Sequence, residues 1–266
     1  AAGDGGRAVT DVWTWLASLP AIAALATTAW VVCTARSNVG LVDVFWSLFF
    51  LLAAGVYAAV AAPAGPRAAL VLTLVAAWAV RLAAYLAARN WHAPEDRRYQ
   101  QIRARNQPNF EWKSLYLVFG LQALLAWIVS APLAVAAASP APLGPLDWAG
   151  AALVAFGIAF ETVADAQLAR FRRDPASAGR VLDHGLWRWS RHPNYFGECC
   201  VWWGFYLLAV AGGGAWTTFS PLLMTLLLLR VSGVTLLEKD IGKRRPEYRD
   251  YVARTSAFVP WPPRGA

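Results

Sequence analysis

Apolar stretches long enough to cross the ~30 Å hydrocarbon core of a bilayer recur along the whole chain, and nothing else restricts its fold as much. In hydrocarbon every backbone N–H and C=O must find a partner, so these stretches are expected to be helices. The expected spans are 12–33, 41–62, 67–89, 115–138, 146–167, 195–213 and 217–236. The fold class is therefore all-α: a polytopic membrane bundle of about seven transmembrane helices, forming one membrane domain over 1–266. Composition agrees, because 58% of residues are hydrophobic and 15% charged, against roughly a quarter charged in soluble chains. The 15 Trp also suit membrane–water interfaces. Ala1 to Thr10 is polar and the apolar stretch from Trp13 has full span length, which reads as a span rather than a cleavable signal peptide.

The basic residues orient the bundle. Of the 24 Lys and Arg, Arg7 and Arg67 alone fall in segments that seven spans place outside. Arg36 falls in the first inner loop, Arg89 to Lys113 in the second, Arg170 to Arg191 in the third, and Lys239 to Arg264 in the tail. The positive-inside rule then sets the N-terminus outside and the C-terminus in the cytoplasm, which requires an odd number of spans. Because this charge is divided among short loops, the net +8 gives no reason to invoke nucleic acid. Three cysteines, Cys33, Cys199 and Cys200, cannot form a disulfide framework and read as buried thiols. With His92, His184 and His192 the only histidines and no zinc-like spacing, no metal is expected.

Ionisable residues inside spans are costly, so each is a functional candidate. Asp43 opens the second span, with Trp46 and Phe50 on its face at i+3 and i+7. Trp78, Arg81 and Tyr85 share a face of the third. Two readings stand open: an Asp43–Arg81 ion pair joining two helices, or a proton donor in an intramembrane pocket. At the end of the fifth span, Glu161, Asp165, Leu168 and Arg172 form one helical stripe. Two acids a turn apart require facing donors such as ribose hydroxyls, an amide or Arg.

The richest segment runs from Gly179 to Glu198 and contains Arg191-His192-Pro193-Asn194-Tyr195-Phe196-Gly197-Glu198. Pro193 is placed to begin the sixth span, where its missing N–H costs nothing. The free N–H groups of such a first turn attract anions. Asn194 and Glu198 share a face, Gly197 permits close approach of a backbone or flat ring, and the loop arginines suit phosphate oxygens. These features describe a phosphate-bearing cofactor at the cytoplasmic mouth of a bundle.

From about Asp165 to Trp261 the sequence resembles the steroid 5-alpha-reductase C-terminal domain and its bacterial branch, best in the Arg191–Glu198 block. Glu95-Asp96-Arg97-Arg98-Tyr99, preceding Arg103, and Asp43-Val44-Phe45-Trp46 also look like that branch. The resemblance implies a seven-helix membrane reductase that uses NADPH to saturate an activated carbon–carbon double bond in a lipid or steroid-like substrate. Carried over by position, its cofactor pocket falls on Asp165, Leu168, Arg172, Arg180, Asn194 and Glu198, with Glu161 where the steroid enzymes have Asn. Arg191, His192 and Tyr195 belong to the same block, and Tyr251 and Arg254 to the tail segment that closes over the cofactor. The steroid enzymes carry Gln-Glu on the second helix and Tyr on the third. This chain has Asp43 without the Gln, Trp78 in the matching stretch and Tyr85 two turns on, the three candidate catalytic residues. On this reading 1–138 is the substrate side and 139–266 binds the cofactor.

The same block resembles isoprenylcysteine carboxyl and phospholipid methyltransferases, which bind S-adenosylmethionine. Their paired acids after the last span are matched in part by Leu237-Glu238-Lys239-Asp240. S-adenosylmethionine has no phosphate, so the arginines of the Arg170–Arg191 loop favour NADPH. A non-catalytic lipid-binding or accessory subunit is the third reading. The Ala-, Gly- and Arg-rich composition suggests a bacterial inner membrane.

Overall fold

The structure, a computed structural model, describes residues 12–61, 65–231 and 247–264. Its described residues form helices and no strand. Helices α1 (Val12–Ala35), α2 (Val39–Val60), α3 (Pro66–Asn90), α5 (Phe110–Val129) and α7 (Pro145–Arg173) are the five long and apolar enough to cross a membrane. They overlap the first five expected spans, although the fourth, expected over 115–138, runs over Phe110–Val129. Between α3 and α5 lies the short α4 (Arg97–Arg105), and α6 (Ala131–Ala138) follows α5. The expected sixth and seventh spans fall on α8 (Pro193–Ala211) and on the shorter apolar helix α9 (Ala215–Arg230), neither of which is among those five. The tail ends in α10 (Tyr248–Arg254). The chain divides into two compact units, Ala1–Asp147 with Leu208–Thr217, and Trp148–Leu207 with Thr218–Ala266.

In the first unit α2 is the central helix. It buries 56% of its most apolar window, against 28% for α1 and for α3. Phe49, Phe50, Ala53 and Tyr57 of α2 and Val75, Trp78 and Ala79 of α3 are fully buried, with Phe50 5.7 Å from Trp78. The exposed Val31, Val80, Leu121 and Leu124 give the outer helices the apolar outward faces that hydrocarbon requires. Polar groups in this interior are joined to one another. Tyr57 Oη lies 2.8 Å from Ser18 Oγ and 2.7 Å from Ser130 Oγ. Arg67 and Asp147, each 1% exposed, form a two-pronged ion pair at 2.6 and 3.0 Å. The sequence reading counted Arg67 as an outer-loop charge, whereas its carboxylate partner neutralises it within the fold.

In the second unit α7 packs on α8 through glycines. A Cβ on Gly157 would fall 2.6 Å from Gly197 O, and one on Gly197 would fall 2.8 Å from Gly157 O. Small residues are what let two membrane helices approach this closely. The close approach expected at Gly197 is thus made by another backbone.

Candidate functional site

In the second unit, that glycine contact brings the acidic stripe of α7 against the first turns of α8. Glu161 and Asp165 are 3% and 4% exposed, and Glu198 is 7% exposed. Asn194 Nδ2 donates to Asp165 Oδ1 at 3.3 Å, so the two expected pocket residues from separate segments meet. Pro193 begins α8, as its missing N–H predicts, and the buried His192 ring stacks on Tyr195 at 5.6 Å with 6° between planes. Leu168 is half-buried, while Arg172 at the end of the stripe and Arg180 beyond it are exposed.

The loop between α7 and α8 is tied back to α7 by groups that the sequence reading did not single out. Gln167 Oε1 accepts from Leu186 N at 2.9 Å, and Trp187 Nε1 donates to Ala164 O at 3.1 Å. Gly185, at φ +61, lies over the Gln167 amide, and a Cβ there would be 2.6 Å from it.

The tail is then stapled to this loop. Arg191 Nη1 donates to Thr255 O at 2.6 Å, Arg191 N to Ser256 O at 2.9 Å, and Ser190 Oγ to Phe258 O at 2.7 Å. Trp261 N donates to Trp189 O at 3.0 Å. Tyr251, 2% exposed, donates its hydroxyl to Trp187 O at 2.5 Å, and Arg254 pairs with Asp183. Tyr251 and Arg191 therefore anchor the tail. The partial methyltransferase match at Leu237-Glu238-Lys239-Asp240 lies outside the described residues.

In the first unit Asp43 takes its partners from α4. Tyr99 Oη donates to Asp43 Oδ1 at 2.6 Å, and Arg98 Nη2 donates to Oδ2 at 3.2 Å. Gln122 Nε2 donates to Tyr99 Oη at 3.1 Å. Asp96 caps α4 by accepting from Arg98 N at 2.9 Å. Glu95 receives Arg103 through two bonds of 2.9 Å and Val39 N at 2.8 Å, fixing this loop to the start of α2.

Burial, and next the Asp43 carboxylate, push the Tyr99 hydroxyl well above its usual pKa of 10.0. Burial works against the Arg98 charge, but Asp43 and Asp96 outweigh it and the guanidinium is held more firmly protonated. Burial would likewise raise Asp96, yet its bonds from Arg98 bring it below the usual carboxylate value.

Of the other expected catalytic residues, Trp78 is fully buried 5.7 Å from Phe50 in the apolar core. The half-buried Tyr85 receives the Arg89 guanidinium over its ring at 5.6 Å. The hydroxyl that reaches Asp43 is that of Tyr99, which belongs to the Glu95–Tyr99 motif but not to the expected catalytic residues. Its one available signal was position, an aromatic residue set among the basic residues of that loop. Among the described residues no group of three His, Cys, Asp or Glu could hold a metal ion.

The described arrangement is that of a helical membrane protein with carboxylates and an amide gathered at the loop-proximal end of α7 and α8. The chain belongs to the family described as "Protein of unknown function (DUF1295)", which it matches over residues 29–255. It is 30% identical over 162 residues to an uncharacterized protein of Schizosaccharomyces pombe, a match covering 52% of this chain and 46% of that protein. The aligned part thus spans about half the length of that relative. No solved structure matches.

Proposed function

We propose that this protein is an NADPH-dependent reductase that saturates an activated carbon–carbon double bond in a lipid or steroid-like substrate within the membrane. The observation that carries this reading is the Asp165–Asn194 contact, which joins the two segments on which the resembling reductases' cofactor positions fall. Carboxylates and an amide suit ribose hydroxyls and a carboxamide, and the exposed Arg172 and Arg180 suit phosphates. This donor set fits NADPH, which would supply the hydride; the protein supplies orientation, a dry setting and a proton. The family is associated with steroid 5-alpha-reductase-like proteins, in line with this reading.

The proposed proton source is Tyr99, whose hydroxyl stays protonated at neutral pH and is oriented by Asp43 and Gln122. On this reading the chain crosses a bacterial inner membrane seven times, its N-terminus outside and its cofactor site facing the cytoplasm. The division into a substrate side, 1–138, and a cofactor side, 139–266, belongs to the same proposal.

The test is the thermal shift of detergent-purified protein with NADPH, NADH and S-adenosylmethionine. The reductase reading expects stabilisation by NADPH, weakened in Arg172→Ala and retained in Asp43→Asn and Tyr99→Phe. Stabilisation by S-adenosylmethionine with none by NADPH overturns it in favour of a methyltransferase. Once a substrate is found, Tyr99→Phe should lower turnover by about 10²–10⁴-fold, the usual scale for losing a general acid.

A further inference from the structure

The stapled tail encloses a cleft of about 280 Å³ whose lining mixes two chemistries. Arg191, Arg254 and Arg264 contribute cationic forks, while Val252, Trp261 and Pro262 contribute apolar surface. Trp261 is 68% exposed, and the nearby Val259 and Trp189 are 55% and 44% exposed. Tail residues that serve only to close a loop have no need of exposed indole and isopropyl groups beside arginines.

The depth of this cleft follows from the tethers already described. Counted from Pro145, the roughly twenty residues of α7 that cross the hydrocarbon end near Ala164. Ala164 and Gln167 are the residues that hold Trp187 and Leu186, and the tail is bonded in turn to residues 187–191. The cleft is therefore fixed close to the level where hydrocarbon gives way to headgroups. Trp is favoured at this level, because its ring is apolar and its N–H is wet. Arginine there meets lipid phosphate, to which its planar fork can donate two hydrogen bonds. Among the described residues Asp183 engages Arg254 through Nη2, and a guanidinium carries further donors suited to a second anion.

We propose that this cleft binds the phosphate of an anionic phospholipid headgroup from the surrounding membrane, with Trp261 and Val259 resting at the glycerol level. The site would fasten the tail to the leaflet that carries the basic loops. It shares Arg191 and Arg254 with the expected cofactor positions, so the two readings are told apart by whether NADPH displaces the lipid.

The experiment uses the full chain in detergent, with native mass spectrometry of lipid adducts after addition of phosphatidylglycerol and phosphatidylcholine. Phosphatidylglycerol is expected to be retained in preference. Arg264→Gln is expected to lower its retention by about fivefold, the effect of one basic residue near an anionic surface. The main-chain bond from Arg264 N to Arg254 O survives that substitution, so the tail keeps its place. Trp261→Ala provides the second variant and is expected to weaken retention as well. Equal retention of the two lipids, or unchanged retention of phosphatidylglycerol in both variants, overturns the proposal. Displacement of the lipid by inorganic phosphate or NADPH also overturns it, assigning the cleft to a soluble phosphate ligand. A thermal shift with NADPH reads the reductase proposal separately and can fail while lipid retention stands.

Discussion

Two ion-paired clusters close opposite ends of the first unit, and they differ in what they leave accessible. The start of α2 meets the segment just past the end of α3, where Asn38 Nδ2 donates to Ala93 O at 3.1 Å and Val39 N to Glu95 Oε1 at 2.8 Å, so these two packed helices are antiparallel. Asp43 near the start of α2 and Arg67 near the start of α3 therefore mark opposite ends. At one end Arg67 and Asp147 are each 1% exposed. Arg67 spends its remaining donors on Ser139 Oγ at 2.7 Å and Pro142 O at 3.3 Å, and Asp147 also accepts from Gly144 N at 2.9 Å. Such a cluster is satisfied wholly from within and has no surface for a ligand. At the other end Arg98 and Asp43 are 30% and 23% exposed, and a tyrosine proton points at the carboxylate. Pairing of charge is common to both; exposure separates a sealed structural lock from a pair that a ligand could reach.

The strongest way to break this comparison is to remove one member of the lock. Arg67→Ala should destabilise the protein by about 3–5 kcal/mol, because it leaves the Asp147 carboxylate buried and uncompensated. Arg67→Met combined with Asp147→Leu should recover most of that loss, since both charges go and the volume is kept. Unfolding midpoints in detergent measure both. A loss under about 1 kcal/mol in Arg67→Ala would show that this end is as tolerant as the other.

A smaller effect is expected at Tyr99. Tyr99→Phe removes a hydrogen bond to a charged acceptor and should cost about 1.5–3 kcal/mol at neutral pH. Its pH dependence has a definite sign. The folded protein raises the Tyr99 pKa, first by burial and then through Asp43, so folding favours the protonated phenol. The associated stability is fully present below the ordinary tyrosine value of about 10 and is lost as pH rises through the folded value. Wild type should therefore lose stability above about pH 10 more steeply than Tyr99→Phe. Parallel profiles would mean that the phenol ionises as freely in the folded protein as in the unfolded chain.

Much of the architecture was legible because it is written locally. Apolar runs of span length gave α1, α2, α3, α5 and α7, and Pro193 marked the start of α8. The meeting of Asp165 with Asn194 followed from a helical stripe and a helix start that each announced a polar face. The Asp43 partners were not legible. Tyr99 is 56 residues away on a short helix whose return to α2 depends on Glu95, Arg103 and Val39 N. Arg81 entered one of the two readings of Asp43 because it lies on the next span, and neighbouring spans are the only proximity that a hydropathy pattern encodes. The Arg67–Asp147 lock, 80 residues apart, was missed for the same reason. In the tail, Tyr251 and Arg191 were expected at the cofactor, and their anchoring role was not legible because their bonds run to backbone carbonyls, which carry no residue signature.

The smallest expected effect sharpens the comparison most directly. Arg98→Gln removes the cationic partner of Asp43 but leaves the Tyr99 bond in place, and both charges of the pair are partly exposed. An ion pair in that setting is worth about 0.2–1 kcal/mol at low salt. The Debye length falls to about 3 Å at 1 M salt, shorter than the distance over which solvent-exposed partners interact beyond direct contact. The difference between Arg98→Gln and wild type should therefore shrink toward zero in 1 M sodium chloride. The penalty of Arg67→Ala should persist there, because ions do not reach a carboxylate with 1% exposure. Measured side by side across a salt series, two converging curves would place both clusters in the same electrostatic environment. One converging and one unmoved curve would locate the solvent-facing end of the unit at the Asp43–Arg98 pair and the sealed end at Arg67–Asp147.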